Sequence, residues 1–171
     1  DSLVPVDETA RAMQQLYRQG KIRAIGVSNY SLKQMDIFRQ AASLHVVQPP
    51  YNIFERHIEH DVLPYVHKHT LKTLTYGALC RGLLTGRMKP DTQFTGDDLR
   101  KVDPKFQQPR YGQYLDAVAQ LERFARERFK KSVLALAVRW LLDQPDVSIA
   151  LWGARRPDQL DPVDEAMGWT I

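Results

Sequence analysis

Apolar positions along the chain alternate regularly between a helical spacing and short continuous runs. The helical spacing predicts helices at residues 7–19, 32–42, 58–69, 114–130 and 132–142, and the short runs predict strands at residues 22–28, 45–48, 70–76 and 147–152. Gly20 is typical of the end of the first helix and Ser31 of an N-cap before the second, while Pro64 predicts a kink or a later start in the third. Strands that alternate with helices indicate βαβ units and a parallel sheet with right-handed crossovers.

About four strands are counted in this way, which is half of an eight-stranded barrel or one small open sheet. Residues 77–110 are rich in Gly, Pro, Asp and Thr and predict a long loop. A loop of that length inside a compact domain is usually functional, such as a lid or a binding loop. Its carboxylates, Asp97, Asp98 and Asp103, are expected to set the loop conformation or to meet Arg100 and Lys101.

The composition is that of a soluble globular protein, with 43% hydrophobic and 26% charged residues. No apolar run approaches the roughly 20 residues that span a bilayer, so we expect no membrane association. The single cysteine, Cys80, excludes an intramolecular disulfide framework and is typical of a reducing cytoplasm. A net charge of +4 would allow nucleic-acid binding, but the densest basic stretch, residues 123–131, has the pattern of a solvated helix face. We expect no nucleic-acid partner.

Polar side chains gather where the predicted strands end, which in a βα barrel is the face that carries function. Ser28, Asn29 and Gln48 offer hydrogen-bond donors and acceptors that suit a carboxamide. Tyr76 offers a flat face against which a nicotinamide ring could stack. Simpler interpretations exist, since Ser28 and Asn29 could cap the helix that begins near Ser31 and Tyr76 could be a half-buried core aromatic.

A second group of strand-end residues suits phosphates. Backbone amides from Gly77 to Gly82 could approach a pyrophosphate, because the glycines carry no side chain. Arg155 and Arg156 could form bidentate, charge-assisted bonds to an adenosine 2′-phosphate. The glycines from Gly82 to Gly86 could instead only shape a turn, and both arginines could be solvated surface charges. The convergence of all these residues on the ends of successive strands favours the functional interpretation.

Three segments, taken together with a later fourth, resemble the aldo/keto reductases. They are residues 20–29, which end in Gly-Val-Ser-Asn; residues 48–56, Gln-Pro-Pro-Tyr-Asn-Ile-Phe-Glu-Arg; and residues 75–86, Thr-Tyr-Gly-Ala-Leu-Cys-Arg-Gly-Leu-Leu-Thr-Gly, followed by residues 152–160, Trp-Gly-Ala-Arg-Arg-Pro-Asp-Gln-Leu. Their order and spacing are similar to that family over essentially the whole chain, and Gly-Ala-Arg-Arg resembles a bacterial branch of it. The resemblance implies a (β/α)8 TIM barrel, of which this chain would form the C-terminal half, four βα units, as a single domain over residues 1–171.

The resemblance also implies a cytoplasmic, NADPH-dependent enzyme that reduces an aldehyde or a ketone, with residues 77–110 covering the cofactor. The alternative is a non-catalytic barrel relative that binds NADPH as a sensor or as a channel-associated subunit. The cofactor NADP(H) would contact Ser28, Asn29, Gln48, Tyr76, Gly77, Ala78, Leu79, Gly82, Leu84, Gly86, Gly153, Ala154, Arg155 and Gln159. The chain departs from the pattern of the family at two places. Leu151-Trp152 replaces the Ile-Pro of many relatives, and residues 161–164 lack the Glu-Asn pair that meets the adenine.

The family's catalytic Tyr, with its supporting Lys, Asp and His, comes from the first four strands of the barrel. Residues 1–6, Asp-Ser-Leu-Val-Pro-Val, match the segment that follows that His, so no catalytic residue is assigned in this chain. The chain begins with Asp1 rather than Met, and we expect either that upstream sequence is missing or that the chain associates with another half. A half barrel leaves two sheet edges unpaired, which favours self-association or pairing with a complementing N-terminal half.

Two other groups of residues are not predicted to be functional sites. His57, His60, His67 and His69 are close in sequence, but the spacing of the last two places them on different helix faces, and the family needs no metal. Tyr51 could be mistaken for a catalytic acid, but the resemblance places it as a structural residue after the cofactor-binding Gln48.

Overall fold

The computed structural model describes residues 4–171, so the first three residues of the predicted match over residues 1–6 lie outside it. Its α-helices are α1 (Val6–Arg18), α2 (Leu32–Ala41), α3 (Val62–Lys68), α4 (Arg110–Phe129) and α5 (Val133–Leu142), and its strands are β1 (Gly26–Ser28), β2 (Val46–Gln48), β3 (Lys72–Thr75) and β4 (Ile149–Ala150). The strands form one parallel sheet in the order β1-β2-β3-β4. The predicted alternation of helices with a parallel sheet is confirmed.

Helix starts follow local capping signals. The Ser31 hydroxyl accepts from the Gln34 backbone amide at 3.3 Å, and the Gln34 side-chain oxygen accepts from the Ser31 backbone amide at 2.9 Å. Together the two bonds form a reciprocal capping box at the start of α2. Helix α3 begins at Val62, after the Asp61 carboxylate that caps it, and Pro64 therefore falls in its first turn, where proline is tolerated. The later start that Pro64 predicts is confirmed.

The strands are shorter than predicted because side chains replace part of the backbone ladder. The Ile25 amide donates to His45 Nδ1 at 3.0 Å, and β1 begins only at Gly26. Next to β4, the Ser148 amide donates to Thr73 Oγ1 at 2.9 Å, and the Thr73 hydroxyl donates to the Asp146 carbonyl at 2.7 Å. Hydroxyl groups that bond the backbone in this way compete with a regular ladder.

The described chain divides into two compact units. The first comprises residues 4–51, Glu55–Tyr76 and Gln144–Leu151 and contains the whole sheet with α1, α2 and α3. Val27 and Val47 pack with Met35 and Phe38 in its core. Because side chains alternate along a strand, Ser28 and Gln48 lie on the opposite face of the sheet from this core.

The second unit comprises Asn52–Phe54, Gly77–Asp143 and Trp152–Ile171 and contains α4 and α5. Leu83, Leu84 and Phe106, all from the predicted loop 77–110, are buried in its core. That segment also forms short 3-10 helices at Cys80–Thr85, Leu99–Lys101 and Pro104–Phe106. The loop is therefore anchored by apolar side chains, while its covering of a cofactor and the single-domain organisation stay predictions.

The remaining features of the fold are several short 3-10 helices and the exposed basic stretch of α4. Further 3-10 helices lie at His57–Glu59, Pro157–Gln159 and Asp161–Ala166, so β4 is followed by 3-10 turns instead of the α-helix that the other strands have. In the stretch 123–131 the arginines are exposed, and Phe124, which is 48% exposed, packs edge-on against Phe129. None of the helices in residues 4–171 is long and apolar enough to cross a membrane.

Candidate cofactor-binding site

In the first unit, the four predicted strand-end residues form one cluster. The register pairs Ser28 at the end of β1 with Gln48 at the end of β2, and the Ser28 hydroxyl donates to the Gln48 backbone carbonyl at 3.0 Å. Tyr76 follows β3, and its hydroxyl donates to Asn29 Oδ1 at 3.1 Å. The helix-capping alternative for Ser28 and Asn29 is wrong, because Ser31 supplies the cap of α2.

The backbone holds both ends of the Tyr76–Asn29 hydrogen bond. The Tyr76 amide donates to the Pro49 carbonyl, and the Tyr51 amide donates to the Tyr76 carbonyl, each at 3.0 Å. Asn29 has a φ of 57°, in the left-handed region that Asn tolerates better than most residues. The side chains are therefore presented from restrained backbone positions at the ends of the strands.

The hydrogen bonds within this cluster leave a defined set of donors and acceptors. Ser28 uses its only proton on Gln48, so its oxygen can only accept from a further group. Asn29 Oδ1 is engaged by Tyr76, which leaves the Asn29 NH₂ as the group that can donate. The Gln48 side-chain amide has no hydrogen-bond partner among residues 4–171. Together they complement a primary carboxamide, which presents one acceptor oxygen and an NH₂ donor.

In the second unit, residues 77–86 form a turn that continues into a 3-10 helix, and some of its backbone amides have no hydrogen-bond partner in the described chain. The Gly77 carbonyl accepts from Asn52 Nδ2 at 2.9 Å and from the Cys80 amide at 2.8 Å. Among residues 4–171 the amides of Gly77, Ala78 and Leu79 donate to no other group, so three consecutive N–H groups are available. Successive backbone N–H groups of this kind form an anion-binding concavity.

The remaining residues of this turn stabilise the turn itself. The Gly82 and Leu84 amides both donate to the Leu79 carbonyl, at 2.9 and 3.2 Å, and Leu84 is fully buried. Gly82 has a φ of 96°, and a Cβ there would lie 3.0 Å from Met88 Cε; one at Gly86, where φ is 71°, would lie 3.0 Å from Val133 Cγ1. Within the expected span Gly77–Gly82, the amides of Cys80 and Gly82 are thus used inside the chain, and the structure supports the turn-shaping role for Gly82 and Gly86.

The segment after β4 presents one uncommitted cation. Gln159 Oε1 accepts from the Arg155 amide at 2.6 Å and from the Arg156 amide at 3.2 Å, which folds the segment into a turn. Two of the Arg156 guanidinium nitrogens, Nε and Nη2, each donate to an Asp158 carboxylate oxygen at 3.0 Å, and this pairing lowers the pKa of the Asp158 carboxyl. Arg155, exposed with Gly153 and Ala154, has no ion-pair partner among residues 4–171.

Packing within the second unit places the start of the turn and the residue before the Gly153–Arg155 segment against the same apolar cluster. Leu79 and Trp152 both pack against the small cluster of Ala135, Val138 and Ala166. The three available amides end at Leu79, and the Gly153–Arg155 segment starts next to Trp152. Trp152, a departure from the family pattern, therefore contributes to the core of the unit.

Carboxylates of the segment 77–110 form ion pairs with arginines and a lysine of the same segment. Asp98 binds the Arg100 guanidinium through both carboxylate oxygens, and Arg100 holds the pKa of Asp98 down at about 2. Arg100 also donates to the Arg81 carbonyl at 3.4 Å, and Arg81 pairs with Asp103 at 3.3 Å. The expected meeting of Asp98 with Arg100 is confirmed, while Asp103 meets Arg81 and Lys105 instead of Lys101.

Tyr51 has the environment of a structural residue. It is fully buried, and its hydroxyl donates to Glu59 Oε1 at 2.6 Å. Burial and then the Glu59 carboxylate raise the pKa of the Tyr51 phenol, which disfavours proton exchange with a substrate. In the part of the chain that the structure describes, no three His, Cys, Asp or Glu residues are grouped as metal ligands, and His67 Nδ1 lies 3.0 Å from Asp146.

Comparison with known proteins identifies the family. The model of the aldo/keto reductase family matches residues 1–169. The chain belongs to the aldo/keto reductase family. Over all 171 residues it is 60% identical to the aldo-keto reductase YhdN of Bacillus subtilis, of which it covers 52%, and over 156 residues it is 31% identical to the NADH-specific methylglyoxal reductase of Escherichia coli, where the match takes in 91% of this chain and 47% of the relative.

A solved structure agrees with this membership. The glycerol dehydrogenase AKR11B4 from Gluconobacter oxydans matches the whole chain with a TM-score of 0.93 and 57% identity, and 52% of its own chain is covered. The predicted fold class, part of an aldo/keto reductase TIM barrel, is confirmed. The chain spans about half the length of the relatives that it matches.

Proposed function

We propose that the protein containing this chain is an NADPH-dependent aldo/keto reductase and that residues of this chain bind the cofactor. The observation that carries the proposal is the donor and acceptor pattern of Ser28, Asn29 and Gln48, which complements the carboxamide of a nicotinamide. Membership of the aldo/keto reductase family supports an oxidoreductase that acts on a small carbonyl compound.

Each residue of the strand-end cluster would have a separate role in holding the nicotinamide. The Asn29 NH₂ would donate to the carboxamide oxygen, while Ser28 Oγ and Gln48 Oε1 would accept from its NH₂. The Tyr76 ring would stack on the nicotinamide and keep water from one of its faces. When bound, the cofactor would supply hydride to the carbonyl carbon of an aldehyde or ketone. The proton for the resulting alkoxide would come from a general acid that we do not assign to any residue of this chain.

The second unit would hold the phosphates. The amides of Gly77, Ala78 and Leu79 would donate to the pyrophosphate, and Arg155 would form a charge-assisted contact with the 2′-phosphate. Gln159 would hold the Arg155 backbone in place, with its Nε2 left to donate to the same phosphate. Residues 77–110 would cover the cofactor, anchored by the Asp98–Arg100 and Arg81–Asp103 pairs.

Other aspects of the whole protein follow as proposals. A single, buried cysteine supports a reducing compartment such as the cytoplasm. Strands β1 and β4 are the two edges of the described sheet, which supports pairing with another half of a barrel or with a second copy. We expect no nucleic-acid or membrane partner.

Cofactor binding and carbonyl turnover, measured in the full-length natural form of the protein, test this proposal. We expect NADPH to quench tryptophan fluorescence at saturation and to be oxidised when a small aldehyde or hydroxyketone is added, including the carbonyl counterparts of glycerol. Absence of NADPH binding would contradict the proposal. Tight binding without turnover across the panel would favour the alternative, a non-catalytic relative that acts as a sensor or channel-associated subunit.

A further inference from the structure

The Tyr76 hydroxyl makes a hydrogen bond that stacking of the Tyr76 ring on a nicotinamide would not require. It donates to Asn29 Oδ1 at 3.1 Å, across a sequence separation of 47 residues. Because β1 and β3 both flank β2, the Tyr76 side chain must reach across the end of β2. The distance between β1 and β3 is roughly 9–10 Å. A phenylalanine could present the same ring face without making this contact.

We propose that the Tyr76 hydroxyl is a positioning group that holds the Asn29 carboxamide with its NH₂ toward the cofactor. This inference rests on the proposed function and extends it to a residue that acts through another. With Oδ1 held by Tyr76, the Asn29 NH₂ points to where the nicotinamide carboxamide oxygen would lie. Ser28, whose proton is used on Gln48, then presents only an acceptor. The strand-end cluster therefore favours one orientation of the ligand's carboxamide.

The need for such a group follows from the Asn side chain itself. The last torsion of Asn is broad and nearly two-fold, so an unheld carboxamide turns over at little cost. In the reversed orientation the Asn29 NH₂ could still donate to the Tyr76 oxygen, but Asn29 Oδ1 would face the carbonyl oxygen of the ligand, and two acceptors would meet. The hydrogen bond to Tyr76 therefore holds the Asn29 carboxamide in place, and Ser28, which can only accept, sets its orientation through the ligand. The backbone of Asn29, held at a φ of 57°, restrains the Cα–Cβ direction but does not select between the two amide orientations.

The Tyr76→Phe variant separates the hydroxyl from the ring. Loss of one hydrogen bond between uncharged groups corresponds to a loss of about two- to tenfold in affinity, and we expect NADPH binding to weaken by that factor. Adenosine 2′,5′-bisphosphate, which has the 2′-phosphate but no nicotinamide, is the matched control ligand, and its affinity should not change. Tyr76→Leu, which removes the ring as well, should weaken NADPH binding further.

A double-mutant cycle with Asn29→Ala tests whether the hydroxyl acts through Asn29. In the full-length natural form of the protein, we expect Tyr76→Phe to have no further effect on NADPH binding once Asn29 is alanine. The inference would be overturned if Tyr76→Phe bound NADPH as tightly as the wild type, if its effect persisted in the Asn29→Ala background, or if the control ligand were weakened equally. A wild-type protein that bound the bisphosphate but not NADPH would instead contradict the proposed nicotinamide site itself.

Discussion

Replacing Arg155 by alanine should weaken NADPH binding about ten- to a hundredfold and leave NADH binding nearly unchanged. NADPH differs from NADH by a 2′-phosphate that carries about two negative charges near neutral pH. Arg155 lies exposed after β4 without an ion-pair partner among residues 4–171, so its guanidinium needs no other contact to be broken before it binds a phosphate.

The size of the expected loss in NADPH affinity follows from the kind of contact that Arg155 would make. A hydrogen bond to a charged group contributes about 1.5–3 kcal/mol, and tenfold in affinity corresponds to about 1.4 kcal/mol. Arg156 is the matched control, because it is adjacent and carries the same charge but is bound to Asp158 through two nitrogens at 3.0 Å. Arg156→Ala should therefore change NADPH affinity much less than Arg155→Ala does.

Calorimetric titration of the full-length natural protein with both cofactors, at one fixed salt concentration, measures these effects. Unchanged NADPH affinity in Arg155→Ala would mean that Arg155 is a solvated surface charge. An equal loss for NADPH and NADH would indicate a folding defect or a pyrophosphate contact. Either result would remove Arg155 from the 2′-phosphate site.

Three further predictions address other parts of the account. The isolated 171-residue chain should show no measurable NADPH-dependent carbonyl reduction, because general acid–base catalysis contributes roughly 10²–10⁴-fold and no acid is assigned here; robust turnover would show that the chain contains one. Saturating NADPH should protect Arg87 and Arg100 from trypsin in the full-length natural protein, since gating loops have low local stability, whereas equal cleavage with and without NADPH would argue against a covering loop. Tyr51→Phe should destabilise the fold by about 1–3 kcal/mol in urea titrations, because a buried bond to a carboxylate is lost, and an unchanged unfolding midpoint would refute that role.

Features that depend on neighbours in sequence could be predicted, and those that depend on distant partners could not. The N-cap at Ser31 and the later start of α3 follow from residues within one helical turn. The lengths of β1 and β4 depend on bonds from Ile25 to His45 and between Thr73 and Ser148, residues that are 20 and 75 positions apart. No local pattern marks those side chains as substitutes for a backbone partner.

The candidate site shows the same division. Residue type and position at a strand end sufficed to select Ser28, Asn29, Gln48 and Tyr76. Which atom of Asn29 is engaged depends on Tyr76, and this contact appears only when the strands are aligned. Arg155 and Arg156 are equivalent in sequence terms, and the Asp158 carboxylate distinguishes them in the structure.

A crystal structure of the full-length natural protein with NADP⁺ would show whether these residues bind the cofactor. We predict that the nicotinamide carboxamide contacts Ser28, Asn29 and Gln48, with its oxygen toward the Asn29 NH₂ and its ring on Tyr76. We also predict the pyrophosphate at the amides of residues 77–79 and the 2′-phosphate at Arg155. A dinucleotide bound elsewhere, or bound with its carboxamide away from Asn29, would contradict the proposed cofactor site.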